Sequence, residues 1–305
     1  MGRDAGAYGS DASSVPELVA RLASAAEALG AISAALQLRG PECRPAPAVE
    51  RALAEVLDVL GLTEVLRELE SADVAALSDI VRARMRHACE LSSDPLREPG
   101  WRPSERAAIV GASVGAPDLA WLIHGDVAPR LTGLAERLAS PEAAFLEVGT
   151  GAGGLVIALC ELYPQLHGTG IDVWAPALAI ARECAARAGV DERVRLRRED
   201  VVELDERDAY DLVWLAADFV GPEALPVAVR RTLSATRPGG WMILSFRGGV
   251  DELRVALARL RTARDGGTLL WAAEAESMLE NAGWCEVWSL PQDLLPAVRM
   301  TAGRR

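Results

Sequence analysis

The chain has 305 residues, half of them hydrophobic, which is enough for one large core or two unequal ones and excludes a disordered scaffold. Its formal net charge of −12 at pH 7 argues against nucleic-acid binding, because phosphate contacts depend on clustered basic residues. Lysine is absent, which excludes a Schiff-base lysine mechanism. The five cysteines are widely spaced and form no C-x-x-C pair, so we expect a reducing compartment and no structural zinc.

The N-terminal segment predicts a protein of the cytoplasm. Residues 1–10 are polar and glycine-rich, without the basic start and apolar stretch of a signal peptide. No uninterrupted apolar run approaches the ~18 residues that a membrane helix needs. We therefore expect a cytoplasmic protein that does not bind membranes.

The first ~135 residues are predicted to form an all-α domain, because apolar residues recur at helical spacing and no alternating strand pattern occurs there. Pro141 marks the predicted boundary between a helical domain over 1–139 and a second domain over 140–305. The helical domain could support the second domain, form a homodimer interface or close over a ligand. Helices are predicted over residues 15–38, 49–69 with a break near Gly61, 71–91, 104–113 and 117–138.

From residue 143 onward, short strands and helices alternate, which is typical of a doubly wound α/β sheet. The third strand contains several arginines, so we expect it at an edge or with one face in solvent. Strands are predicted over residues 143–148, 167–172, 193–198, 210–215, 237–246, 284–290 and 297–302, and helices over 175–188, 222–235 and 273–282.

The most informative stretch lies at residues 145–159, where a short apolar run ends in a glycine cluster and continues into a second apolar run. This pattern predicts a strand, a tight turn and a helix. Gly149, Gly151 and Gly153 would let the backbone turn sharply and approach a ligand, and the helix would direct free N–H groups toward it. A nucleotide-like cofactor is the expected occupant.

Two cofactor classes use such a turn. Gly149, Gly151 and Gly154 fit the dinucleotide fingerprint G-x-G-x-x-G, and Asp172 follows at about the expected distance of ~20 residues. Glu147 favours the other class, since a carboxylate two residues before the first glycine would repel a diphosphate and attract an ammonium group. S-adenosylmethionine (SAM) carries such an ammonium group.

Glu147, Gly149, Gly151 and Gly153 resemble the first motif, (E/D)-x-G-x-G-x-G, of class I SAM-dependent methyltransferases. The resemblance extends over about residues 143–303 and implies SAM as cofactor. It also implies an α/β fold with a seven-stranded, doubly wound sheet whose last strand is antiparallel. The Ala- and Arg-rich composition and the helical extension are similar to natural-product methyltransferases of actinomycetes, which implies a secondary-metabolite acceptor.

The resemblance also assigns roles to residues at the carboxyl ends of the strands. Asp172 would accept both ribose hydroxyls of SAM, unless it only caps the following helix. Trp174 would stack on the adenine or only pack, and Asp200 would meet the adenine amino group, with Glu199 as the alternative in the neighbouring register. The implied cofactor-binding residues are Glu147, Gly149, Thr150, Gly151, Gly153, Asp172, Val173, Trp174, Asp200, Val201 and Ala216.

For the acceptor, His124 is the best placed of the three histidines to act as a general base, because it lies on the last predicted helix before the sheet. The alternative is a packed or surface histidine. The expected substrate-contacting residues are Trp101, Trp121, Asp218, Phe219 and Arg247.

Two absences narrow the reaction. Ala216 occupies the position where catechol-type O-methyltransferases have a metal-ligating Asp, so we expect no metal ion. Residues 216–219 also lack the N-P-P-Y or D-P-P-Y motif of amino-methylating enzymes that act on nucleic acid or glutamine. We expect in-line methyl transfer to O or C, less favourably N, of a small molecule. The alternatives are an NAD(P)-dependent oxidoreductase and a catalytically idle SAM-fold binding or regulatory protein.

Overall fold

The chain divides into two compact units, Met1–Leu96 and Arg97–Arg305. Residues 97–139, which the sequence analysis grouped with the helical domain, lie in the unit that contains the sheet. For residues 71–73, 75, 76 and 79 only the backbone is described. The computed structural model describes residues 14–39, 45–100, 109–110, 113, 115–291, 294 and 297–305.

Four helices and a small core are described in the first unit. Gly61 has a φ of 67° between the second and third helices, which confirms the predicted break there. The buried apolar side chains described in this unit centre on Leu36, Leu66 and Val81. The helices are α1 (Val15–Gln37), α2 (Pro47–Val59), α3 (Thr63–Glu68) and α4 (Ser71–Ser93).

Helix α1 is unusually apolar for an exposed helix. By length and composition alone it could cross a membrane, with a mean hydropathy of 1.4 over an 18-residue window of which 6% is buried. The expectation that no apolar segment approaches the length of a membrane helix is therefore wrong. It was based on uninterrupted apolar runs, whereas the Ala- and Leu-rich α1 reaches this hydropathy despite isolated charged residues such as Glu17 and Arg21.

The second unit contains a seven-stranded sheet in the order β3-β2-β1-β4-β5-β7-β6. Strand β7 runs antiparallel to β5, and β3 lies at an edge, as the sequence predicted. The predicted α/β fold class is confirmed. The strands are β1 (Ala144–Val148), β2 (His167–Asp172), β3 (Val194–Arg198), β4 (Tyr210–Ala216), β5 (Thr236–Arg247), β6 (Cys285–Ser289) and β7 (Val298–Arg304).

Seven α-helices are described in this unit. One of them, α10, was not predicted, although Asp251 caps its first turn by accepting from the Arg254 N–H at 2.8 Å and Gly266 ends it. The helices are α5 (Ala116–Leu122), α6 (Leu134–Leu138), α7 (Gly154–Leu162), α8 (Ala175–Ala188), α9 (Leu225–Ala235), α10 (Glu252–Asp265) and α11 (Ala272–Ala282).

The continuous helix predicted over 117–138 is wrong. A π-helical turn at Ile123–Val127 and a 3₁₀ turn at Ala128–Arg130 follow α5, and Gly133 then adopts a left-handed φ of 74° before α6 begins. Apolar periodicity continues across these breaks because the side chains still face the sheet, which is why the pattern did not reveal them.

Neighbouring residues of the central strands β1, β4 and β5 enter two cores on opposite faces of the sheet. Phe145 and Leu212 face the layer formed by α5 and α7, whereas Leu146 and Val213 face α9 and α11. The sheet is therefore covered on both sides, as expected for mostly parallel strands. The carboxyl ends of β1, β2 and β4 form the edge of the sheet at which open α/β folds bind ligands.

Asp211 secures the opposite, amino edge of the sheet. It is buried, accepts a hydrogen bond from the Ala144 N–H at 3.0 Å, and forms ion pairs with Arg137 at 3.1 Å and with Arg237. These bonds tie α6, β1, β4 and the start of β5 together. The carboxylate is satisfied by structural partners, so it is not a candidate for catalysis.

Candidate cofactor and active site

The glycine turn connects β1 to α7 at the point where the order of the parallel strands reverses, which is where open α/β sheets bind ligands. Gly149 and Gly151 have φ values of 72° and 56°, and a Cβ atom at either would meet no atom within 4 Å. At Gly153 a Cβ atom would lie 3.1 Å from Ile157 and 3.2 Å from Ala181. The first two glycines therefore border open space, whereas the third allows close packing of α7.

The N–H groups of the turn are engaged by β2. Those of Gly149 and Thr150 donate to the Ile171 carbonyl at 2.9 and 3.1 Å, and that of Gly151 donates to Asp172 Oδ2 at 2.9 Å. A diphosphate would need such N–H groups to be free. These three N–H groups are therefore not available to an anion.

Glu147 lies at the end of β1 and is buried, with 8% of its surface exposed. Its Oε2 accepts hydrogen bonds from Thr150 Oγ1 at 2.7 Å and from the Val156 N–H at 3.0 Å. Its Oε1 accepts none from the residues that the structure describes. The carboxylate thus caps the first turn of α7 with one oxygen and leaves the other available for a donor. Burial raises the pKa of this carboxyl to about 7.

Asp172 ends β2 beside the same turn. Its Oδ1 accepts from the Trp174 N–H at 2.8 Å, and its Oδ2 accepts from Gly151. It does not occupy the N-cap position of α8, which is Trp174. An ionised carboxylate has about four acceptor positions, so both oxygens can still accept from hydroxyl groups. Burial raises the pKa of Asp172, and the backbone hydrogen bonds oppose this effect.

The residues expected near the adenine have different environments. Val173 is exposed, whereas Trp174 is half-buried and packs in a cluster with Ile109 and Ala177. This packing agrees with the alternative that the sequence left open for Trp174.

Asp200 and Val201 follow the carboxyl end of β3. The exposed Asp200 accepts from the Val202 N–H at 3.1 Å and starts a short 3₁₀ turn, in which Val201 is buried. Its rival Glu199 is paired with Arg197 at 3.0 Å. Asp200 is therefore the more accessible of the two neighbouring carboxylates.

Comparisons with known proteins agree with this geometry. The profile of a family described as a methyltransferase domain matches residues 145–240. Release factor glutamine methyltransferase of Cereibacter sphaeroides is 35% identical over 196 residues, which cover 58% of this chain and 67% of that protein. The chain belongs to the class I SAM-dependent methyltransferases. Its cofactor is SAM, and the oxidoreductase and catalytically idle alternatives are set aside.

Two solved structures resemble the methyltransferase over nearly its whole length. Human N-acetylserotonin methyltransferase in complex with SAM is 16% identical, with a TM-score of 0.63 and coverage of 97% of this chain and 99% of that one. Mitomycin 7-O-methyltransferase is 17% identical, with a TM-score of 0.57 and coverage of 95% and 98%. Likeness at this identity demonstrates a shared fold. The matched part of this chain covers 67% and 56% of the length of the first two curated relatives.

Asp218, one of the residues expected to contact the acceptor, follows the end of β4 and is buried. Its Oδ1 accepts from the Arg247 N–H at 3.0 Å and from Thr262 Oγ1 at 2.8 Å. These bonds join β4, β5 and α10, and burial raises the pKa of the carboxyl. Asp218 is therefore at the expected edge of the sheet, but its contacts there are structural.

Phe219 and Arg247, the other two residues at this edge that were expected to contact the acceptor, contact each other. The Arg247 guanidinium lies 5.0 Å from the centre of the Phe219 ring and pairs with Asp265 at 2.7 Å. Phe219 is partly exposed beside Ala216, which ends β4 without an acidic side chain. Trp101 lies outside the described residues.

His124 is not near the glycine turn. Its Nδ1 lies 2.8 Å from the Tyr163 hydroxyl, and Tyr163 follows the last residue of α7. Because α7 has nine residues, this end is about 13 Å from the turn at which the helix begins. Trp121 is 62% exposed, with its ring centre 5.9 Å from that of His124. The structure therefore places His124 and Trp121 away from the glycine turn, which does not favour a base role for the one or a pocket role for the other.

Proposed function

We propose that the methyltransferase transfers a methyl group from SAM to an oxygen or carbon atom, less favourably a nitrogen atom, of a small-molecule acceptor, without a metal ion. The observation that carries this proposal is the end of β4. Ala216 offers no metal ligand there, and Asp218 is held inward by the Arg247 N–H and Thr262. Among the described residues, no group of three or more His, Cys, Asp or Glu side chains could hold a metal ion.

The same segment argues against glutamine as the acceptor. The relatives that share the cofactor region are named for methylating glutamine in release factors. Enzymes of that kind carry an N-P-P-Y motif after the fourth strand, and this chain has 216–219 with no proline in its place. Human N-acetylserotonin methyltransferase and mitomycin 7-O-methyltransferase are named for small acceptors. We therefore favour a small, natural-product acceptor.

The cofactor would be held by the carboxylates at the turn. In this proposal Glu147 Oε1 accepts from the ammonium group of SAM, and Asp172 accepts from the ribose hydroxyls. Gly149, Thr150 and Gly151 provide the bare backbone beside the methionine end, and exposed Val173 lies beside the adenine. Asp200 and Val201 complete the adenine side.

The protein's own contribution to the reaction would be binding and alignment. When bound, SAM supplies a methyl group that is already activated on a sulfonium. The chain would orient the acceptor at the carboxyl ends of β4 and β5, beside Phe219, so that the two reacting atoms meet in line. We assign no proton transfer to His124, because of its position at the far end of α7.

A labelled methyl-transfer assay tests the acceptor class. The purified protein would be incubated with methyl-labelled SAM, EDTA and either a panel of phenols, enols and carboxylic acids or a glutamine-containing peptide. We expect label in at least one small molecule, undiminished by EDTA. Label in the peptide alone, or activity that EDTA abolishes and Mg²⁺ restores, contradicts the proposal.

We further propose a cytoplasmic homodimer that associates through the N-terminal helices. The first half of α1 exposes Val15, Val19 and Leu22, and α2 exposes Val49 and Val59. Exposed apolar residues grouped in this way favour an interface. Sedimentation velocity should give a dimer that Val19→Asp converts to monomers. A monomeric wild type, or one that sediments with lipid vesicles, contradicts this proposal.

A further inference from the structure

Thr150 is packed into the contact between the glycine turn and Glu147. It is 3% exposed, and its hydroxyl donates to Glu147 Oε2 at 2.7 Å. Gly170 pairs with Glu147 in the sheet, and a Cβ atom there would lie 2.7 Å from Thr150 Oγ1 and 2.9 Å from Thr150 Cβ. The glycine on β2 therefore leaves the space that the threonine side chain occupies.

This arrangement restricts the Glu147 carboxylate. The terminal torsion of a glutamate side chain has broad, two-fold preferences, so its two oxygens exchange easily when nothing distinguishes them. Here the Thr150 hydroxyl and the Val156 N–H both bind Oε2. The two bonds fix the plane of the carboxylate and direct all remaining acceptor capacity to Oε1.

We propose that Thr150 is a positioning residue for cofactor binding, whose hydroxyl holds the Glu147 carboxylate in the orientation and the ionised form that bind the ammonium group of SAM. The proposal rests on the contact between Glu147 and that ammonium group, which is part of the proposed function. It adds a residue whose own contact with the cofactor is not required.

The electrostatic surroundings support a role in ionisation. The pKa of Glu147 is raised to about 7, mainly by burial and to a smaller extent by the Asp172 carboxylate, and the hydrogen bonds from Thr150 and Val156 oppose this rise. Cys160 on α7 adds no charge to this region near pH 7, because burial raises the pKa of its thiol to about 11. Removal of the Thr150 hydroxyl would therefore leave more Glu147 protonated at neutral pH.

The test compares Thr150→Val, which keeps the shape of the side chain without its hydroxyl, with Thr150→Ser, which keeps the hydroxyl. Calorimetric titration with S-adenosylhomocysteine at pH 6, 7 and 8.5 gives the affinity of each variant relative to wild type. Because the ligand's own amine titrates equally for variant and wild type at each pH, its effect cancels in the ratio of variant to wild-type affinity. We expect Thr150→Ser to bind within about twofold of wild type. Thr150→Val should bind about tenfold more weakly at pH 6, and the difference should shrink toward twofold at pH 8.5.

5′-Methylthioadenosine, which lacks the amino-acid end, provides the matched control ligand, and its affinity should stay within about twofold in both variants. Thr150→Ala serves as a second variant without the hydroxyl if Thr150→Val does not fold. A loss that is equal at all three pH values, or equal for both ligands, would reduce Thr150 to a packing role and overturn the proposal. If wild type bound 5′-methylthioadenosine but not S-adenosylhomocysteine, the assigned Glu147 contact itself would be wrong.

Discussion

The two ends of α7 are both closed by a charged side chain from outside the helix, yet only one of them is a candidate site. At the first turn, the Glu147 carboxylate accepts from the Val156 N–H. At the last turn, Nη1 of Arg193 donates to the carbonyls of Cys160, Tyr163 and Leu166 at 2.7, 3.2 and 3.1 Å. Each charge also has the sign that the helix dipole favours at its end.

The difference lies in the bonding capacity that remains. Three carbonyls surround one nitrogen of Arg193, so the group is committed to holding the end of α7 and the start of β2. Glu147 has an oxygen with no partner among the described residues, and it faces a turn whose glycines border open space. A charged side chain at a helix end is therefore evidence for a ligand only when part of it remains unbonded.

We call the last turn of α7, where Arg193 binds three carbonyls, the closed end, and the first turn, where Glu147 keeps an unbonded oxygen, the open end. The largest effect is expected at the closed end. Arg193→Met removes the donor to three carbonyls and should lower the free energy of unfolding by roughly 4 kcal/mol. Urea denaturation measures this, with Arg195→Met, an exposed position two residues further along the chain on β3, as the matched control. The folded variant should bind S-adenosylhomocysteine within about twofold of wild type. Weaker binding at unchanged stability would mean that the closed end also belongs to the site.

At the open end, Glu147→Gln should stabilise the protein without cofactor. The Glu147 carboxyl has a pKa of about 7 in the folded chain, against an ordinary value of 4.5. Between pH 4.5 and pH 7 it therefore keeps its proton in the folded state, whereas the unfolded chain loses it. Stability from this group therefore falls as pH rises from 4.5 to 7, by about 3 kcal/mol in all, and stays low above pH 7. Urea denaturation should give little difference between variant and wild type at pH 4.5 and the full gain for the variant at pH 8. A gain independent of pH would exclude ionisation of Glu147 as its cause.

The same Glu147→Gln substitution should weaken binding. An amide oxygen can still accept from the Val156 N–H, but it carries no charge for the ammonium group of SAM. We expect the affinity for S-adenosylhomocysteine at pH 8 to fall at least tenfold, or about 1.4 kcal/mol, by calorimetry. A variant that is both more stable and equally tight in binding would show that the unbonded oxygen has no ligand.

Asp172→Asn should have a similar or smaller effect on affinity, about tenfold. Asparagine can accept from only one of the Gly151 and Trp174 N–H groups that its carboxylate now binds, and it offers fewer acceptors to the ribose. Asp200→Asn is the comparison at the adenine side, where we expect a smaller loss because that side chain is exposed and accepts a single backbone bond. Equal losses at the two positions would place as much of the binding energy at the adenine as at the ribose.

The sequence was sufficient to predict the sheet and the open end because both depend on local signals. The glycine cluster after an apolar run located the turn, and strand alternation gave the seven strands with their closing antiparallel pair. The contact of Thr150 with Glu147 depends on Gly170 in the neighbouring strand, which no local pattern reveals. Helix α10 was missed although Asp251 and Gly266 were available as cap signals.

The distance of His124 from the glycine turn was not foreseen, for a different reason. Apolar periodicity indicates which face of a helix packs, but it does not say toward which edge of the sheet the helix runs. A residue just before β1 in sequence seemed close to the turn that follows β1. In the fold, however, the amino edge of the sheet and its carboxyl edge are separated by the length of β1 and α7. Nearness to a motif along the chain is therefore a poor guide to the active edge of a parallel sheet.

The smallest effect is expected for His124→Phe, which removes the hydrogen bond to Tyr163 at an exposed position. Burial raises the pKa of the Tyr163 hydroxyl to about 12, so this group stays protonated and water can replace the lost partner. Stability should fall by less than about 1 kcal/mol, and kcat/KM on the acceptor found by the labelling assay should stay within twofold from pH 6 to 8. Tyr163→Phe, which removes the same bond from the other side, should match it. If His124→Phe alone abolished a pH dependence with the midpoint of an imidazole, the end of α7 that Arg193 closes would have to take part in the reaction, and the distinction between the two ends would fail.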